Sequence, residues 1–197
     1  PGSDHAKVVS YIDVLGGRVH VGQRAALIGA GGIGFDVAEY LVHKGESSTL
    51  DPKRWMAEWG VDPTFETRGS LVKPQPEAPA REVWLLQRSA GKPGARLGKT
   101  SGWVHRATLK AKQVKMLGGV EYLGVNDSGL KIRIDGSEQL LPVDHVVVCA
   151  GQEPRRELQA ELLAAGITAH LIGGADVAAE LDAKRAIDQG SRLAAAL

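Results

Sequence analysis

The stretch Ala25-Ala26-Leu27-Ile28-Gly29-Ala30-Gly31-Gly32-Ile33-Gly34 decides the fold that this sequence predicts. An apolar run ends in G-x-G-x-x-G, and a helical pattern follows from Ile33 to Lys44. A strand, a glycine-rich turn and a helix in this order are typical of a turn that binds the diphosphate of a dinucleotide. Gly29 permits the tight turn, Gly31 lets the diphosphate approach the backbone, and Gly34 lets the helix pack on the strand. We therefore expect residues 29–34, including Ala30, Gly32 and Ile33, to hold a dinucleotide; the alternative is a purely structural turn.

Composition places the chain among ordinary globular proteins. Of its 197 residues, 43% are hydrophobic and 24% are charged, and the net charge is +1. This balance predicts no nucleic acid or membrane partner, and no apolar run approaches the ~20 residues of a membrane span. The start, Pro1 to His5, has no signal-peptide character. The single cysteine, Cys149, follows three valines, which favours a buried structural thiol in a reducing cytoplasm.

The pattern before residue 82 predicts further elements and an insertion. We expect an amphipathic helix from Asp4 to Leu15, because Val8, Ile12 and Leu15 share one helical side. Residues 46–81 interrupt the simple strand–helix–strand order and contain a short helix from Asp51 to Trp59.

Trp55 and Trp59 lie four residues apart in that insertion, and therefore on one face of the short helix. They either pin the insertion onto the domain or form a docking surface for another domain, and the first interpretation is the more usual one.

The second strand, Glu82 to Gln87, ends where a typical NAD site carries an acidic residue for the adenosine ribose. This chain has Gln87 and Arg88 there, followed by Lys92, Arg96 and Lys99 in a glycine-rich loop. Arginine binds a 2′-phosphate through charge-assisted hydrogen bonds, whereas a carboxylate repels it. The loop therefore favours NADPH over NADH; the alternative is a solvated basic loop without a ligand.

The remaining elements complete an α/β pattern. They are a helix from Ser101 to Lys112 with Ser101 as its N-cap, short strands at Val114–Leu117, Glu121–Val125, Leu130–Ile134 and Leu140–Leu141, a buried strand at Asp144–Cys149, a helix at Arg155–Ala165, a short strand within His170–Asp176 that ends in a Gly-Gly-x-Asp turn, and a final helix from Leu181. Asn126-Asp127-Ser128-Gly129 is a hairpin signal. The sequence predicts a Rossmann-like domain with a parallel sheet and a small antiparallel meander.

Several segments then resemble the C-terminal part of the bacterial NADPH-dependent 2,4-dienoyl-CoA reductases, flavin and iron–sulfur enzymes related to trimethylamine dehydrogenase. The matching segments lie at residues 28–36, 58–62, 86–88, 98–106, 149–154 and 171–178. The likeness spans essentially the whole chain, and residues 99–106 and 149–154 are more specific than the glycine motif.

The resemblance implies a division of labour. An N-terminal barrel carries FMN, an iron–sulfur cluster and the site where an unsaturated acyl-CoA is reduced, a second domain binds FAD, and a third binds NADPH. This chain would then comprise a 1–20 linker and helix from the FAD domain, the NADPH-binding domain at 21–152, and the C-terminal return of the FAD domain at 153–197. Its partners would be NADPH and the rest of its own polypeptide.

The resemblance also assigns roles to single residues. Ala150, Gly151 and Gln152 would lie where the chain passes the nicotinamide. In the turn at 173–176, Gly174 and Asp176 would contact FAD, with Asp176 on the ribityl hydroxyls; the alternative for Asp176 is an N-cap of the last helix.

Chemistry at this site would belong to the cofactors, so we expect no catalytic side chain and no metal ligand in the chain. His105 and Arg106 either contact the nucleotide or lie on the surface. Two other classes stay open: a different NAD(P)H:flavin oxidoreductase or stand-alone dehydrogenase, and a non-catalytic nucleotide-binding module with the two tryptophans as its docking face.

Overall fold

The computed structural model describes residues 1–178 and 183–197. The chain divides into two compact units, residues 1–150 and residues 151–197. The strands are β1 (Val8–Ser10), β2 (Arg24–Ile28), β3 (Glu82–Leu86), β4 (Lys115–Leu117), β5 (Glu121–Asn126), β6 (Gly129–Ile134), β7 (Ser137–Leu141) and β8 (His145–Val148). The helices are α1 (Tyr11–Leu15), α2 (Gly32–Val42), α3 (Pro52–Trp59), α4 (Gly102–Ala111), α5 (Glu157–Ala164) and α6 (Ala183–Ala196).

The first unit is built on a five-stranded parallel sheet in the order β1-β8-β2-β3-β4. Strands β5, β6 and β7 form a separate antiparallel meander. The predicted fold class, a Rossmann-like α/β domain with a small antiparallel sheet, is confirmed.

Alternate side chains of the parallel sheet face two different layers. Ala25 and Leu27 of β2 belong to a core that includes Phe35, Val37 and Leu41 of α2. The side chain of Ala26, between them, points to the other face of the sheet, because successive side chains of a strand point to opposite faces. Ala26 accordingly packs in a second core with residues of the meander, Leu130, Ile132 and Leu141 among them. The unit is therefore a three-layer sandwich of helices, parallel sheet and meander.

The predicted helix from Asp4 to Leu15 is wrong in its first half. Val8–Ser10 forms β1, which pairs in parallel with β8, and the helix begins only at Tyr11. The Ser10 hydroxyl accepts a hydrogen bond from the Ile12 amide and so caps α1. Two adjacent valines fit an extended strand, and pairing along β8 outweighs the weaker helical pattern. Residues 1–20 consequently lie in the same compact unit as the glycine turn.

The second unit consists of α5, a short 3₁₀ turn at Gly173–Ala175 and α6. The short strand predicted within His170–Asp176 is wrong, since no strand is present there, but the turn predicted at its end is confirmed as the 3₁₀ turn. Its glycines favour a turn, and Gly173 at φ +57° sits against Ala186 of α6. The predicted start of the last helix at Leu181 lies outside the described residues. Among the residues described, no helix is long and apolar enough to span a membrane.

Candidate functional site

The glycine turn lies at the carboxyl end of β2, where the strand order of the sheet reverses. β2 has β3 on one side, reached through α2, and β8 on the other, reached only after five further strands. Ligands of open α/β sheets bind in the crevice at such a switch point. The prediction that this turn follows a strand and opens a helix is confirmed.

Gly29 and Gly34 are required by the packing of the protein itself. Gly29 has φ +111°, and a Cβ there would lie 3.0 Å from the Cβ of Ala150. A Cβ on Gly34 would lie 1.8 Å from the carbonyl oxygen of Gly29, a distance that no rearrangement of side chains relieves. These two glycines let the start of α2 sit directly on the strand ends.

Gly31 and Gly32 are not required by the protein. Both are exposed, and a Cβ on either would meet no atom within 4 Å. Gly31 has φ −86° and ψ −171°, an extended conformation open to any residue. Since neither packing nor backbone conformation explains these glycines, the open space above them is suited to a ligand that approaches the backbone closely.

Electrostatics at the start of α2 favour an anion. Gly31 is the N-cap and supplies no side-chain hydrogen bond, and the first turn contains no acidic residue. The first amides of a helix lack partners within it, and they carry the positive end of the helix dipole. Ala30 is buried beneath the turn and Ile33 is half-buried. The residues present therefore fit a bound diphosphate.

Gln87 occupies the position where a typical NAD site carries an acidic residue. Its side chain holds the backbone of the basic loop in place. Its side-chain amide donates to the carbonyl oxygens of Ser89 at 3.0 Å and Gly91 at 3.3 Å. From the end of β4, the Gly119 amide donates to Ser89, and Gly118 packs so closely that a Cβ would lie 2.2 Å from the Gly91 oxygen. The loop after β3 is therefore held from two strands.

Arg106 fastens the second half of the same loop. Its guanidinium donates to the Gly94 carbonyl oxygen at 2.9 Å, and Gly94 rests on Phe35 in the first turns of α2. These anchors were not predicted, because bonds from side chains to backbone carbonyls leave no pattern in a sequence; the glycines at 94 and 118 were the available signal. The predicted contact of Arg106 with a nucleotide stays a prediction.

Three cationic side chains of this loop are exposed to solvent. Arg88, Lys92 and Lys99 are exposed, and none of their side chains forms a hydrogen bond or ion pair with a described residue. Arg88 lies beside Tyr122 of β5: burial raises the pKa of this phenol to about 12, and the charge of Arg88 acts against that shift. β2 and β3 are paired, so Arg88 and the glycine turn follow neighbouring strands at one edge of the sheet.

Ala150 and Cys149 complete this edge from β8. The Cys149 amide donates to the carbonyl oxygen of Ile28, which brings Ala150 next to Gly29. The prediction of a buried thiol is confirmed, and burial raises the pKa of Cys149 to about 12. A thiol in this state is a poor nucleophile.

The side chain of His105 forms a hydrogen bond with Glu39. Its Nδ1 lies 2.7 Å from a carboxylate oxygen of Glu39, which joins α4 to α2. This pair fixes the two helices that flank the loop, and it was not predicted, because the residues are 66 positions apart.

An ion pair between a buried lysine and a half-buried glutamate joins the insertion to the end of α4. Lys112 lies 2.9 Å from Glu58 of α3 and also donates to the Glu77 carbonyl. Burial acts to raise the pKa of Glu58, but the bonds from Lys112 and Ser48 outweigh it, so its pKa lies below 4.5. Within α3, Trp55 and Trp59 contact each other with ring centroids 6.2 Å apart.

In the second unit, Asp176 is fixed by α6. Its carboxylate accepts a hydrogen bond from the Gln189 amide at 2.9 Å, while the oxygen of that amide accepts from the Gly173 backbone. Gly174 is exposed, and the backbone of the turn is also bound by Arg156. Gly151 is exposed and Gln152 half-buried at the start of the unit. The flavin contacts expected of these residues stay predictions.

Among the described residues, no cluster of His, Cys, Asp and Glu could hold a metal ion.

Fold and site define an α/β nucleotide-binding module. Residues 3–183 match the family model described as pyridine nucleotide-disulphide oxidoreductase, and the chain belongs to this family. It has one cysteine, so it holds no disulfide of its own.

Individual relatives are much longer than this chain. A metal reductase of Desulforamulus reducens is 28% identical over 160 residues, which are 80% of this chain and 23% of the relative. A solved 2-naphthoyl-CoA reductase, in complex with 2-naphthoyl-CoA, aligns with TM-score 0.66 and 20% identity over 96% of this chain and 23% of its own. Histamine dehydrogenase from Rhizobium sp. 4-9 aligns with TM-score 0.62 and 15% identity over 98% of this chain and 28% of its own.

The chain therefore spans about a quarter of the length of these proteins, and the two structures show a shared fold. At this level the chain is an NAD(P)H-binding module of the flavoprotein oxidoreductase class.

Proposed function

We propose that this chain is the NADPH-binding module of a flavoenzyme similar to 2,4-dienoyl-CoA reductase. In the whole enzyme it would pass hydride from NADPH to FAD, for the reduction of an unsaturated fatty acyl-CoA during β-oxidation. FMN, an iron–sulfur cluster and the acyl-CoA site would lie in other parts of the polypeptide, in the cytoplasm.

The open backbone at Gly31 and Gly32 carries this proposal. Close packing accounts for Gly29 and Gly34, whereas the two glycines between them leave open space that a ligand can occupy. Bound there, a diphosphate would accept hydrogen bonds from the first amides of α2.

The basic loop supports the choice of NADPH. Gln87 and Arg106 hold the loop backbone in place, so Arg88, Lys92 and Lys99 are displayed without carboxylate partners among the described residues. Arg88 would bind the 2′-phosphate, and the lysines would add to the positive potential around it.

Bound NADPH would supply the hydride, and the residues of this chain would bind and orient it. At the sheet edge, burial raises the pKa of the Cys149 thiol to about 12, so this thiol is a poor nucleophile. Ala150, Gly151 and Gln152 would border the nicotinamide, and Gly174 and Asp176 would supply part of an FAD site.

Titration of the chain with NADPH and with NADH by calorimetry tests the proposal. We expect tighter binding of NADPH, and little or no flavin retained after gel filtration. Equal affinity for the two nucleotides would favour another NAD(P)H:flavin oxidoreductase of the same family, and no binding of either would contradict the proposal.

A further inference from the structure

Tyr122 of β5 has a buried hydroxyl group with no hydrogen-bond partner among the residues that the structure describes. Its ring packs against the core between the parallel sheet and the meander, opposite Ile132 of β6. A phenylalanine would supply the same ring, so packing accounts for the ring and not for the hydroxyl. A buried hydroxyl without a partner destabilises a folded protein. The Tyr122 hydroxyl therefore needs a partner that the free chain does not supply.

The backbone of β5 departs from a regular ladder directly after Tyr122. The pairing of β5 with β6 shifts register between Tyr122 and Gly124, so Leu123 is an extra residue on β5. A bulge of this kind increases the local twist of a strand, and bulges beside functional sites re-aim a side chain. The direction of the Tyr122 side chain is therefore set by an irregularity of the strand that carries it.

Arg88 lies beside Tyr122 because Gln87 is bonded to the connection between β4 and β5. The Gln87 amide donates to the Leu117 carbonyl oxygen, and the Gln87 carbonyl oxygen accepts from the Val120 amide, each at 3.0 Å. These bonds bring Arg88 to the start of β5, where its charge acts on the Tyr122 phenol. The exposed guanidinium of Arg88 has no partner within residues 1–178 and 183–197. A donor and an acceptor, both without partners, are thus neighbours.

We propose that Tyr122 is a positioning residue for Arg88 and so contributes to the choice of NADPH over NADH; this inference rests on the proposed function. When the 2′-phosphate is bound, the hydroxyl oxygen of Tyr122 accepts a hydrogen bond from the guanidinium, whose other N–H groups bind the phosphate. An arginine has five N–H donors in a rigid fork, so it can serve both acceptors at once. The bond to Tyr122 lowers the entropic cost of ordering a long, exposed side chain. Because the hydroxyl itself is covered, Tyr122 acts through Arg88 and does not touch the nucleotide.

Tyr122→Phe tests this role, because it removes only the hydroxyl. We expect calorimetry to show that NADPH binding weakens by about three- to tenfold while NADH binding stays unchanged. Without nucleotide, the variant should unfold at or above the wild-type Tm, because it lacks the unpartnered buried hydroxyl. In an Arg88→Ala background, Tyr122→Phe should cause no further loss of NADPH affinity. The matched control Tyr40→Phe, at an exposed tyrosine of α2, should leave both affinities unchanged.

The role of Tyr122 is overturned if Tyr122→Phe leaves NADPH affinity intact, weakens both nucleotides equally, or causes the same loss in the Arg88→Ala background. A lower Tm of the free Tyr122→Phe chain would also overturn it, since the hydroxyl would then have a partner in the free chain. If Arg88→Ala weakens NADPH binding and Tyr122→Phe does not, only this role fails and the proposed function stands. A wild-type chain that binds NADPH and NADH equally would overturn both.

Discussion

Adding the same methyl group at two glycines three residues apart should have opposite consequences. In Gly34→Ala the new Cβ lies 1.8 Å from the Gly29 carbonyl oxygen, so α2 must move away from β2. Overpacking of a core typically costs about 1–3 kcal/mol, and backbone against backbone places this variant at the upper end. For a protein of this size about 3 kcal/mol lowers Tm by roughly 6–12 °C.

Gly31→Ala meets no atom within 4 Å and keeps an ordinary extended backbone. Its unfolding free energy should stay within about 1 kcal/mol of the wild type, because a slightly poorer N-cap is offset by a less flexible unfolded chain. Binding of NADPH should weaken by roughly tenfold to hundredfold, since the methyl group displaces a charged hydrogen-bonded group worth about 1.5–3 kcal/mol.

Thermal denaturation and calorimetric titration of both variants separate the two effects. A Gly34→Ala protein as stable as wild type would refute the packing argument. A Gly31→Ala protein that binds NADPH with unchanged affinity would refute the assignment of this turn to the diphosphate.

Four further predictions concern the loop and the insertion. Arg88→Ala should weaken NADPH binding by about 1.5–3 kcal/mol and barely affect NADH, measured by calorimetry; equal losses would exclude the 2′-phosphate role, and Lys53→Ala is the matched control. Gln87→Glu removes two donors to the loop and adds a negative charge, so NADPH affinity should fall more than NADH affinity, and the reverse order would contradict a loop held by Gln87. Lys112→Met leaves the half-buried Glu58 without its cation and should lower the unfolding free energy, measured in urea, by up to about 3 kcal/mol, the lower end of the range for a fully buried pair. Because the pKa of folded Glu58 is below 4.5, its contribution is present above that pH and is lost as the pH falls through the folded value. Glu58→Gln should therefore show a weaker loss of stability in acid, and an unchanged acid dependence would exclude this pair as its source.

Continuous apolar runs made the central strands predictable. Val83 to Leu86 and Val146 to Val148 are covered on both faces, by helices and by the meander, so nearly every position is apolar. β1 was mistaken for a helix because three residues are too few to establish a period. Its strand character comes from pairing with β8, more than 130 positions away.

The predictions at Gly31 and Arg88 depend on backbone freedom and charge, which the sequence does show, and their contacts with a nucleotide stay predictions. The site was not predictable where a side chain reaches a distant backbone group or ion. Arg106 on Gly94 and Lys112 on Glu58 exist only once α4 has packed against the loop and the insertion. Such contacts join elements that lie far apart in the sequence, so no local residue pattern predicts them.

The most direct measurement is the movement of backbone amide NMR signals during titration with NADPH. We expect saturable shifts of Gly31, Gly32 and Ile33, at the uncapped start of α2, and of Arg88 in the adjoining loop. Amide signals that stay in place at residues 31–33 while NADPH binds elsewhere would contradict it.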